Sequence, residues 1–592
     1  MCGIIGYVGK RPAGPLLLEG LRKLEYRGYD SAGTASIKDG HLFVRKDVGK
    51  IDEINKKIGL DGVPGTIGIG HTRWATTGMV TKENAHPHTD CRGEIAVVHN
   101  GIIENYQELR KRLEEKGHAF KSQTDTEVLS HLIEAGMKAG ASLEEAVVRA
   151  ARELKGSYAL LAISTKEPGK IVAARLESPL VIGLAKDGTF ASSDTVPFLE
   201  HTKKAVFLDE GEGAVLFAGG ASFFDIKTGN AIKKPITEIK WSSESAVKGG
   251  YPHFMLKEIM EEPAVVKSAL AQEDRAVNSF AKGILGAKKV VISACGTSRH
   301  AALVGRYVID RLTGKYCDVM MSSEYSYFAG DADKDTLVVA ISQSGETADV
   351  LDGVRKAKAK GARIFSIVNV VGSTLDRLSD ERIYLNCGPE IGVASTKAFL
   401  AQLVILYLVA FAMKGRLAEG KKALSSMQGV VQEAIKRNEP KAKALAQKLK
   451  ARDHVYYLAR GINFAIALEG SLKLKEISYI HAEGMPAGEL KHGTLALIEK
   501  GTPVVVVNPS DYTHGETISN GLETKARGAF LIGVSDAPNE AYDEWMELPK
   551  VEELFYPIAS IIPLQLLAYY TAVVRGVDPD KPRNLAKSVT VK

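Results

Sequence analysis

The sequence predicts a mixed fold of the α/β and α+β classes, in which sheets with packed helices are followed by two tandem αβα domains with parallel sheets. Three observations lead to this prediction. The chain has 592 residues, whereas one hydrophobic core usually serves about 100 to 200 residues. Residues 2–236 mix short β-rich runs with helical stretches. After residue 253, apolar β-branched runs alternate with helical patterns, and such alternation predicts parallel sheets covered by helices.

The N-terminal domain, predicted over residues 2–236, contains short periodic segments. Its β-rich runs lie at 66–70 and 95–99, and its helical patterns lie at about 103–116 and 126–138. The chain then becomes polar and rich in small residues, with SSESA at 242–246 and KGG at 248–250. Because this composition is typical of a connection between domains, we predict a linker over residues 237–252.

Two α/β domains follow the predicted linker. The first, over residues 253–437 with its leading helices, has strand-like runs at 290–293, 337–341 and 364–368. The second, over residues 438–582, restarts the scheme with runs at 455–458, 504–507 and 530–534. The two domains share an order of elements, although their residue-level repeat is weak. Residues 583–592 form a C-terminal tail.

Composition excludes several classes of protein. A net charge of +6 is small for so long a chain, so we expect no nucleic acid partner. The five cysteines are scattered without metal-like or redox-motif spacing, which indicates a reducing compartment. Glycines at the N-terminus interrupt any signal-peptide core. The longest apolar run, 399–413, is shorter than the roughly 20 residues of a membrane-spanning helix, so we expect a cytoplasmic protein without a membrane segment.

Position two is a cysteine, and the small, apolar segment GIIGYVG follows it. Removal of Met1 would give Cys2 a free α-amine, whose pKa is ordinarily about 8, so that the amine could act as the base for the thiol. One residue would then supply both nucleophile and base. Cys2 alone is more simply explained as a cysteine without function, so the motifs downstream decide.

Five motifs accompany Cys2 within the first half of the chain. They are LEYRGYDSAG at 24–33, HTRWATTG at 71–78, NAHPH at 84–88, HNGIIEN at 99–105 and TDTE at 124–127. Together they resemble the class II, or Ntn-type, glutamine amidotransferases over about the first 235 residues. This resemblance implies an αββα sandwich that releases ammonia from glutamine with Cys2.

The same resemblance implies roles for the matching residues. Arg73 would pair with the α-carboxylate of glutamine, and Asp125 with its α-ammonium group. Asn100 and the backbone N–H of Gly101 would form the oxyanion hole. The remaining glutamine-site residues by this resemblance are Trp74, Thr76 and His86. Trp74 is also similar to a residue that gates an internal ammonia passage, although hydrophobic packing remains open for it.

The histidine-rich segment also fits a second interpretation. Its members could be metal ligands, namely Asn84, His86 and His88 with Asp90 and Cys91 nearby. No further carboxylate or cysteine set completes such a site in this segment, so we expect structural hydrogen bonding and no metal. One residue departs from the resemblance, because Thr77 stands where the family usually has histidine. Thr77 lies in the loop that should fold over bound glutamine, so we expect this difference to affect how the loop closes.

Two segments rich in Ser and Thr lie where a predicted strand ends and a helix begins. They are ACGTS at 294–298 and SQSGET at 342–347. A helix N-terminus offers unpaired N–H groups and a partial positive charge, so two such turns at the carboxyl edge of one sheet suit a phosphate group. Simple N-capping would explain one such turn, but two with this composition indicate a site.

Both turns resemble the SIS, or sugar isomerase, family, and EIGVASTKAF at 390–399 extends the match. By this resemblance the phosphate is bound by Thr297, Ser298, Ser342, Gln343, Ser344 and Thr347. The sugar site is lined by Val393, Ser395 and Ala586.

The second α/β domain carries two charged residues three positions apart, Lys473 and Glu476, on one face of a predicted helix. A surface salt bridge would explain them alone. However, GELKHG at 488–493 and PRNLAKSVTV at 582–591 resemble segments of the glucosamine-6-phosphate synthase family, and the resemblance then covers nearly the whole chain.

That resemblance implies conversion of glutamine and fructose 6-phosphate to glutamate and glucosamine 6-phosphate, the first step of hexosamine synthesis. His492 would assist ring opening, Lys587 would form a Schiff base with the ketose, and Glu476 would move a proton from C1 to C2. Lys473 would support the charge that develops. No cofactor is expected, and the resemblance implies a homodimer.

Three other interpretations keep part of this scheme. A glutaminase could serve a different acceptor, as in amidophosphoribosyltransferase or asparagine synthetase, but those enzymes need a nucleotide or pyrophosphate site. An SIS-type deglycase or a sugar-phosphate-binding regulator would use the C-terminal half. A regulator, however, would not need Cys2, Lys473, Glu476 and Lys587 together.

Overall fold

The computed structural model describes residues 2–239 and 248–590. They form two compact units, one of residues 2–239 with 588–590 and the other of residues 248–587. Residues 240–247 of the predicted linker lie outside the described residues. The same holds for Met1 and for the last two residues of the predicted tail.

The first unit contains two antiparallel sheets, which have eight and seven strands within residues 2–239. In spatial order the first sheet consists of β15 (Thr237–Glu238), β11 (Lys204–Phe207), β9 (Val181–Ala185), β10 (Gly188–Ser192), β1 (Gly3–Gly9), β4 (Ile67–Arg73), β2 (Ser31–Lys38) and β3 (His41–Val48). The second consists of β14 (Ala231–Ile232), β13 (Gly220–Asp225), β12 (Glu212–Phe217), β8 (Ile171–Leu176), β7 (Gly156–Ser164), β6 (Ile95–Ile103) and β5 (His88–Thr89).

Strand β1 is buried on both faces, and its alternation shows how the layers stack. Ile4 and Val8 belong to the apolar core that contains residues of both sheets. Ile5 and Tyr7 point the other way, into a core shared with the first helix. A third core joins the second sheet to three helices. The helices of this unit are α1 (Ala13–Leu24), α2 (Ile51–Ile58), α3 (Tyr106–Glu115), α4 (Glu127–Lys138) and α5 (Leu143–Glu153). The arrangement is an αββα sandwich.

The second unit contains two parallel sheets of five strands each within the described residues. The first is ordered β17 (Asp318–Met321), β16 (Lys289–Ala294), β18 (Thr336–Ser342), β19 (Arg363–Val368) and β20 (Glu381–Tyr384). The second is ordered β22 (His481–Pro486), β21 (His454–Ala459), β23 (Pro503–Val507), β24 (Phe530–Ser535) and β25 (Glu544–Glu547). Both sheets have the order 2-1-3-4-5, so the tandem repeat expected from sequence is present in the topology.

Helices cover these sheets, and several meet in one large apolar core. They are α6 (Phe254–Leu270), α7 (Asp274–Gly286), α8 (Gly296–Thr313), α9 (Ser322–Phe328), α10 (Ala348–Ala359), α11 (Thr374–Leu378), α12 (Lys397–Met413), α13 (Leu417–Leu449), α14 (Ile462–Ser478), α15 (His514–Lys525) and α16 (Tyr556–Val574). Helix α13 runs through residue 437, where the sequence predicts a domain boundary, so one continuous helix belongs to both predicted domains.

One helix among the described residues is long and apolar enough to cross a membrane by length and composition alone. It spans Glu553–Val574, with a mean hydropathy of 1.5, and 89% of its apolar window is buried inside the protein. Its residues belong to the same core as α13 and α14. Burial by its own chain therefore accounts for the composition of this helix, which is longer than the 399–413 run singled out in the sequence.

Candidate active sites

Cys2 lies directly before β1, and its thiol contacts the backbone at the end of β4. The Sγ atom accepts a hydrogen bond from the N–H of Trp74 at 3.3 Å and donates to the Trp74 carbonyl at 3.4 Å. Pairing of β1 with β4, in which Gly3 is opposite Thr72, brings these residues together. Burial raises the pKa of the Cys2 thiol, so the thiol is neutral near pH 7 and needs a base to become a nucleophile.

Asn100 and Gly101 lie beside Cys2 at the end of β6. The Asn100 side-chain amide donates to the carbonyl of Cys2 at 2.9 Å. Gly101 has a φ of +132°, and a Cβ atom there would lie 2.0 Å from the carbonyl oxygen of Ser157. Glycine is therefore favoured at this position. Of the two residues predicted to form the oxyanion hole, Asn100 contacts the backbone of Cys2, and Gly101 follows it directly in β6.

Arg73 and Asp125 supply the two opposite charges near Cys2, and both electrostatically affect its thiol. The Arg73 guanidinium donates to the carbonyls of Thr77 at 2.6 Å, Gly78 at 3.1 Å and Met79 at 3.0 Å. Burial lowers the pKa of Arg73. The loop that follows β4 is therefore folded around the arginine. Thr77 takes part through its backbone carbonyl, so this contact does not depend on which side chain replaces the family's usual histidine.

The loop that carries Asp125 is held on both sides by histidines. The Asp125 carboxylate accepts from the N–H of Ile103 at 2.8 Å. Its neighbour Thr126 contacts His86 Nε2 and His99 Nδ1, each at 2.9 Å. His86 also stacks on His71, with ring centroids 3.9 Å apart, and burial lowers its pKa well below the usual value.

These contacts make His86 a neutral positioning residue for the Asp125 loop. His88 does the same on the other side, with Nε2 at 3.0 Å from the hydroxyl of Thr124. His88 and His99 were not predicted as site residues. The polar Thr hydroxyls that flank Asp125 in TDTE were the available signal.

Trp74 and Thr76 complete the predicted glutamine residues. The Trp74 ring packs edge-on against Tyr29, with centroids 5.5 Å apart, and is partly exposed. Thr76 is exposed on the same loop. Trp74 thus combines a packing contact with a backbone contact to the nucleophile.

In the second unit, the two Ser/Thr turns lie at the carboxyl ends of β16 and β18, which are adjacent strands. Strand order reverses between them, and ligands of open α/β sheets bind at such switch points. In the second turn, Ser342 Oγ accepts from the N–H of Gly345 at 3.0 Å and lies 3.1 Å from the hydroxyl of Thr347. Ser344 Oγ accepts from the N–H of Glu346 at 3.2 Å. The Gln343 carbonyl accepts from the N–H of Asn369 at 3.2 Å.

The first turn is tied to α12 and α14. Ser298 Oγ accepts from the side-chain amide of Gln402 at 2.9 Å. Thr297 Oγ1 donates to Glu469 at 3.0 Å and accepts from Lys473 Nζ at 3.0 Å. The turn predicted to bind phosphate therefore shares hydrogen bonds with the helix predicted to carry the proton-transfer residues.

Lys473 is fully buried and forms ion pairs with Glu476 at 2.8 Å and Glu469 at 3.3 Å. Burial alone would lower its pKa, but the two carboxylates outweigh burial and raise the pKa above the usual value. Lys473 is thus a fixed cation and not a base. Glu469 also lies 2.7 Å from His300 Nδ1. Neither Glu469 nor His300 was predicted as a site residue. Glu469 lies one helical turn before Lys473, and His300 lies in the other predicted α/β domain.

Lys587 contacts a third carboxylate. Its Nζ lies 2.5 Å from Glu390 Oε2, and Ser395 Oγ donates to the same oxygen at 2.9 Å. Burial would raise the pKa of Glu390, but Lys587 and the N–H groups of Thr396 and Ala398 hold it below the usual value. The partner of Lys587 is therefore an anion.

The remaining predicted residues of the sugar site are Val393, Ala586 and His492, and their surroundings differ. Val393 donates its N–H to the Asp580 carbonyl at 3.1 Å, which ties the loop of Ser395 to the chain just before the tail. Ala586 is half-buried next to Lys587. His492 is exposed at the end of the 3₁₀ helix Ala487–His492. Among the described residues, no hydrogen bond or ion pair joins His492 to Lys473, Glu476 or Lys587.

Comparisons with known proteins follow the same division of the chain. Residues 71–200 match the glutamine amidotransferase domain, and residues 283–412 and 448–575 each match the SIS domain. The chain is 48% identical to the glutamine–fructose-6-phosphate aminotransferase (isomerizing) of Thermococcus kodakarensis, over 100% of both chains. The protein of the same name from Pyrococcus horikoshii is also 48% identical over 100% of both.

Among solved structures, the C-terminal domain of the glucosamine-fructose-6-phosphate aminotransferase of Francisella tularensis is 38% identical to this chain, with a TM-score of 0.53. The match covers 57% of this chain and 99% of that domain.

Proposed function

The chain belongs to the glutamine–fructose-6-phosphate aminotransferase (isomerizing) family, and from this premise we propose how its two units divide the reaction. The enzyme converts glutamine and fructose 6-phosphate to glutamate and glucosamine 6-phosphate. The first unit releases ammonia from glutamine, and the second isomerises the sugar phosphate and accepts the ammonia. The observation that carries this division is the position of Cys2 beside Asn100 and the charges of Arg73 and Asp125, in one chain with two Ser/Thr turns at a sheet switch point.

In the first unit, Arg73 and Asp125 hold the carboxylate and ammonium groups of glutamine. The α-amine that removal of Met1 exposes takes the proton of the Cys2 thiol, and the resulting thiolate attacks the amide carbon. Asn100 and the N–H of Gly101 stabilise the oxyanion. The amine returns the proton to the leaving nitrogen, ammonia departs, and water hydrolyses the thioester to glutamate. The raised pKa of the thiol is the reason a base is required.

In the second unit, the turns at Thr297 and Ser342 hold the phosphate of fructose 6-phosphate, and His492 assists ring opening. Lys587 transfers from Glu390 to the C2 carbonyl and forms an imine with loss of water. Ammonia then attacks C2 of this imine and displaces the Lys587 amine, so that the nitrogen of the product is bonded to C2. Glu476 takes a proton from C1 and returns it at C2, while the fixed cation Lys473 stabilises the negative charge in between. We propose that the ammonia travels internally from the first site and that Trp74 controls its release.

The direct test is incubation of the purified protein with glutamine and fructose 6-phosphate, without added metal or nucleotide. Glutamate and glucosamine 6-phosphate should appear in equal amounts. A different acceptor would be revealed if glutamate formed while another sugar phosphate, or phosphoribosyl pyrophosphate, was consumed instead. A deglycase would release ammonia from glucosamine 6-phosphate and ignore glutamine.

A variant separates the role of Trp74 in ammonia transfer from packing. If Trp74 controls ammonia, Trp74→Ala should release glutamate normally while the yield of amino sugar per glutamate falls. Trp74→Phe keeps an aromatic ring against Tyr29 and is the control. Equal yields of glutamate and amino sugar in a stable Trp74→Ala protein would reject this role.

We also propose that the enzyme is a cytoplasmic homodimer. The family resemblance supports the dimer, and five free cysteines support a reducing compartment. Light scattering during gel filtration measures the first property, and cell fractionation measures the second. A monomeric mass at enzyme concentrations that retain activity would contradict the dimer.

A further inference from the structure

Four side chains with metal-binding chemistry converge in the first unit, away from Cys2. They are Cys91, His118, His131 and Glu134, and their ligand atoms all lie within 4.8 Å of one another. Cys91 lies at the surface, whereas the other three residues are buried. The site predicted from sequence to lack a metal comprised residues 84–91 only, and three of these four residues lie outside that segment.

The fold brings these residues from three different elements. Cys91 lies in the short connection from β5 to β6. His118 follows α3 directly, after a turn at Gly117 with a φ of +86°. His131 and Glu134 lie three residues apart on α4, so they project from one face of that helix. The group therefore joins a strand connection, a helix end and a helix face that only the tertiary structure places side by side.

The distances match the edges of a tetrahedron around one metal ion. Bonds of about 2.3 Å to sulfur and about 2.0 Å to nitrogen or oxygen require edges of about 3.6 Å between S and N and about 3.3 Å between N and O. Cys91 Sγ lies 3.7 Å from His118 Nδ1 and 3.6 Å from His131 Nδ1. Glu134 Oε2 lies 2.8 Å and 3.2 Å from the same two nitrogens. These four edges lie within about 0.5 Å of the expected values, and the other two are no longer than 4.8 Å.

The donor set selects the class of ion. A thiolate and two imidazoles favour zinc and similar ions of the later first transition series, whereas calcium and magnesium prefer sites made of oxygen. Four protein ligands leave no open position, which is the pattern of structural and not catalytic zinc. We propose that Cys91, His118, His131 and Glu134 bind one structural Zn²⁺.

Residues around the four ligands orient them as an outer shell does. The second oxygen of Glu134 lies 2.6 Å from Lys138 Nζ, so Oε2 is left to face the group. His131 directs its other nitrogen, Nε2, toward Glu127 Oε1 at 3.8 Å, in the order carboxylate, imidazole and metal site. Glu127 in turn accepts from the N–H groups of Lys121 at 2.8 Å and Ser122 at 2.6 Å. The metal thus fastens α4 to the chain segment that leads to Asp125.

If the four side chains formed only a hydrogen-bond network without metal, Cys91 would have a different role. In that case Glu134 would accept from protonated Nδ1 atoms of His118 and His131, and the thiol would contribute little. A zinc site requires the thiolate and requires both Nδ1 atoms to be unprotonated. Dependence on Cys91 therefore separates the two arrangements.

The experiment uses full-length protein purified without a metal-chelating resin. Inductively coupled plasma mass spectrometry should find about one zinc ion per chain in the wild-type protein. Cys91→Ser and Glu134→Gln should each lose most of it, and Cys317→Ser, a buried cysteine of the second unit, should keep it. Replacement of zinc by Co²⁺ should give the visible spectrum of tetrahedral cobalt with a thiolate charge-transfer band. Cys91→Ser should lack that band.

The cobalt spectrum of the wild-type protein tests the site even if a variant folds poorly. Absence of zinc after purification, together with no thiolate band after addition of Zn²⁺-free Co²⁺, would overturn the proposal. Equal metal content in the wild-type and Cys91→Ser proteins would overturn it as well. A strong chelator should lower the melting temperature of the wild-type protein but not that of Cys91→Ser. An unchanged melting temperature in the wild-type protein after removal of zinc would refute a structural role.

Discussion

At the residue scale, charged groups of the sugar site are held by partners that lie far away in the sequence. Lys473 on α14 is buried between Glu469 and Glu476, and Lys587 from the tail lies against Glu390. A buried charge is tolerated only when it is paired, so each pair fixes the place of its lysine. Two carboxylates balance the positive charge of Lys473 and keep its amine protonated. Lys587 is paired with one anion, and the proposed mechanism requires it to leave this anion for the substrate carbonyl.

Glu390 should position Lys587 for attack. Replacing Glu390 by Gln removes the charge but keeps a group that can accept the N–H of Thr396 and Ala398. We expect Glu390→Gln to lower the yield of the reduced adduct on the Lys587 peptide, formed with fructose 6-phosphate and borohydride. Sugar isomerisation should fall on the order of 10-fold to 100-fold, because an orienting group is lost while the amine remains.

Two comparisons make the Glu390 result specific. Lys587→Ala should give no adduct at all, and glutamine hydrolysis should be unchanged in both variants. If Glu390→Gln gave a full adduct yield and normal isomerisation, Glu390 would be only a structural partner of the tail.

The sequence predicted the chemistry of these residues better than their surroundings. Cys2, Arg73, Asn100 and Asp125 are recognisable because each stands in a contiguous motif. Glu390 stands in the motif EIGVASTKAF, but neither it nor Glu469 nor His300 was assigned a role, because their contacts with Lys587 and with each other join segments far apart in the sequence. His492 matches a motif, but its exposed position shows that a motif does not by itself establish contact with the other residues.

At the scale of elements, the end of β6 depends on a backbone conformation that only glycine adopts readily. Gly101 has a φ of +132° and abuts the carbonyl of Ser157. We expect Gly101→Ala to destabilise the first unit by roughly 3 kcal/mol or more, because it adds a clash to backbone strain. Urea unfolding should show the loss, and glutamine hydrolysis should fall with it.

Gly117→Ala is the matched control for this effect. Gly117 also has a positive φ, +86°, but a Cβ atom added there would meet nothing within 4 Å. Its substitution should cost only the strain of a left-handed residue, about 1 to 2 kcal/mol. Equal losses in both variants would mean that the contact with Ser157 adds nothing.

Helix α6 supports the loop of Ser395 through one buried carboxyl group. Glu258 Oε1 accepts from the N–H groups of Ile391 at 2.6 Å and Gly392 at 3.1 Å. Burial, with the nearby charge of Glu390, raises the pKa of Glu258 to about 7. An acid with a raised pKa favours the folded state while it is protonated, and this contribution is lost as pH rises through about 4.5 to 7.

The contribution of Glu258 to the melting temperature should therefore change with pH. Glu258→Gln mimics the protonated form, so its melting temperature relative to the wild-type protein should rise from pH 5 to pH 8. Differential scanning fluorimetry across this range measures the difference, and Glu483→Gln, at an exposed carboxyl group, is the control. A difference that stays constant with pH would show that Glu258 is ionised throughout.

Prediction of elements was accurate where a periodic run was short and bounded. The strands at 290–293, 337–341 and 364–368 correspond to β16, β18 and β19 with ends displaced by at most one residue. The helix expected at 103–116 begins later, at Tyr106, because residues up to Ile103 pair as β6 with β7. The predicted domain boundary at residue 437 falls inside α13, which is continuous from Leu417 to Leu449.

At the scale of the whole molecule, the second unit repeats one topology twice, whereas the first unit has another fold altogether. Both parallel sheets follow the order 2-1-3-4-5. The proposed roles are divided between the two copies. The turns proposed to bind phosphate follow strands of the first sheet, whereas Lys473 and Glu476 lie on the helix after β21 of the second. The repeat was predictable from the alternation of runs, but this division of labour required the contact between Thr297 and Lys473.

Since the proposed nucleophile and the proposed proton-transfer residues lie in different units, the two half-reactions should be separable in the full-length chain. Cys2→Ala removes the sulfur but leaves the backbone that contacts Asn100, so glutamate release should fall on the order of 10⁴-fold or more, as for loss of other enzyme nucleophiles. Conversion of fructose 6-phosphate to glucose 6-phosphate should continue at its normal rate, because Glu476, Lys473 and Lys587 are untouched. Glu476→Gln should give the opposite result, with glutamine hydrolysis retained and isomerisation lost. Coupled assays for glutamate and for glucose 6-phosphate on the same preparations measure both rates, and the melting temperature confirms that each variant is folded. Loss of both activities in a fully folded Cys2→Ala protein would show that isomerisation depends on the thiol, and the assignment of one half-reaction to each unit would then fail.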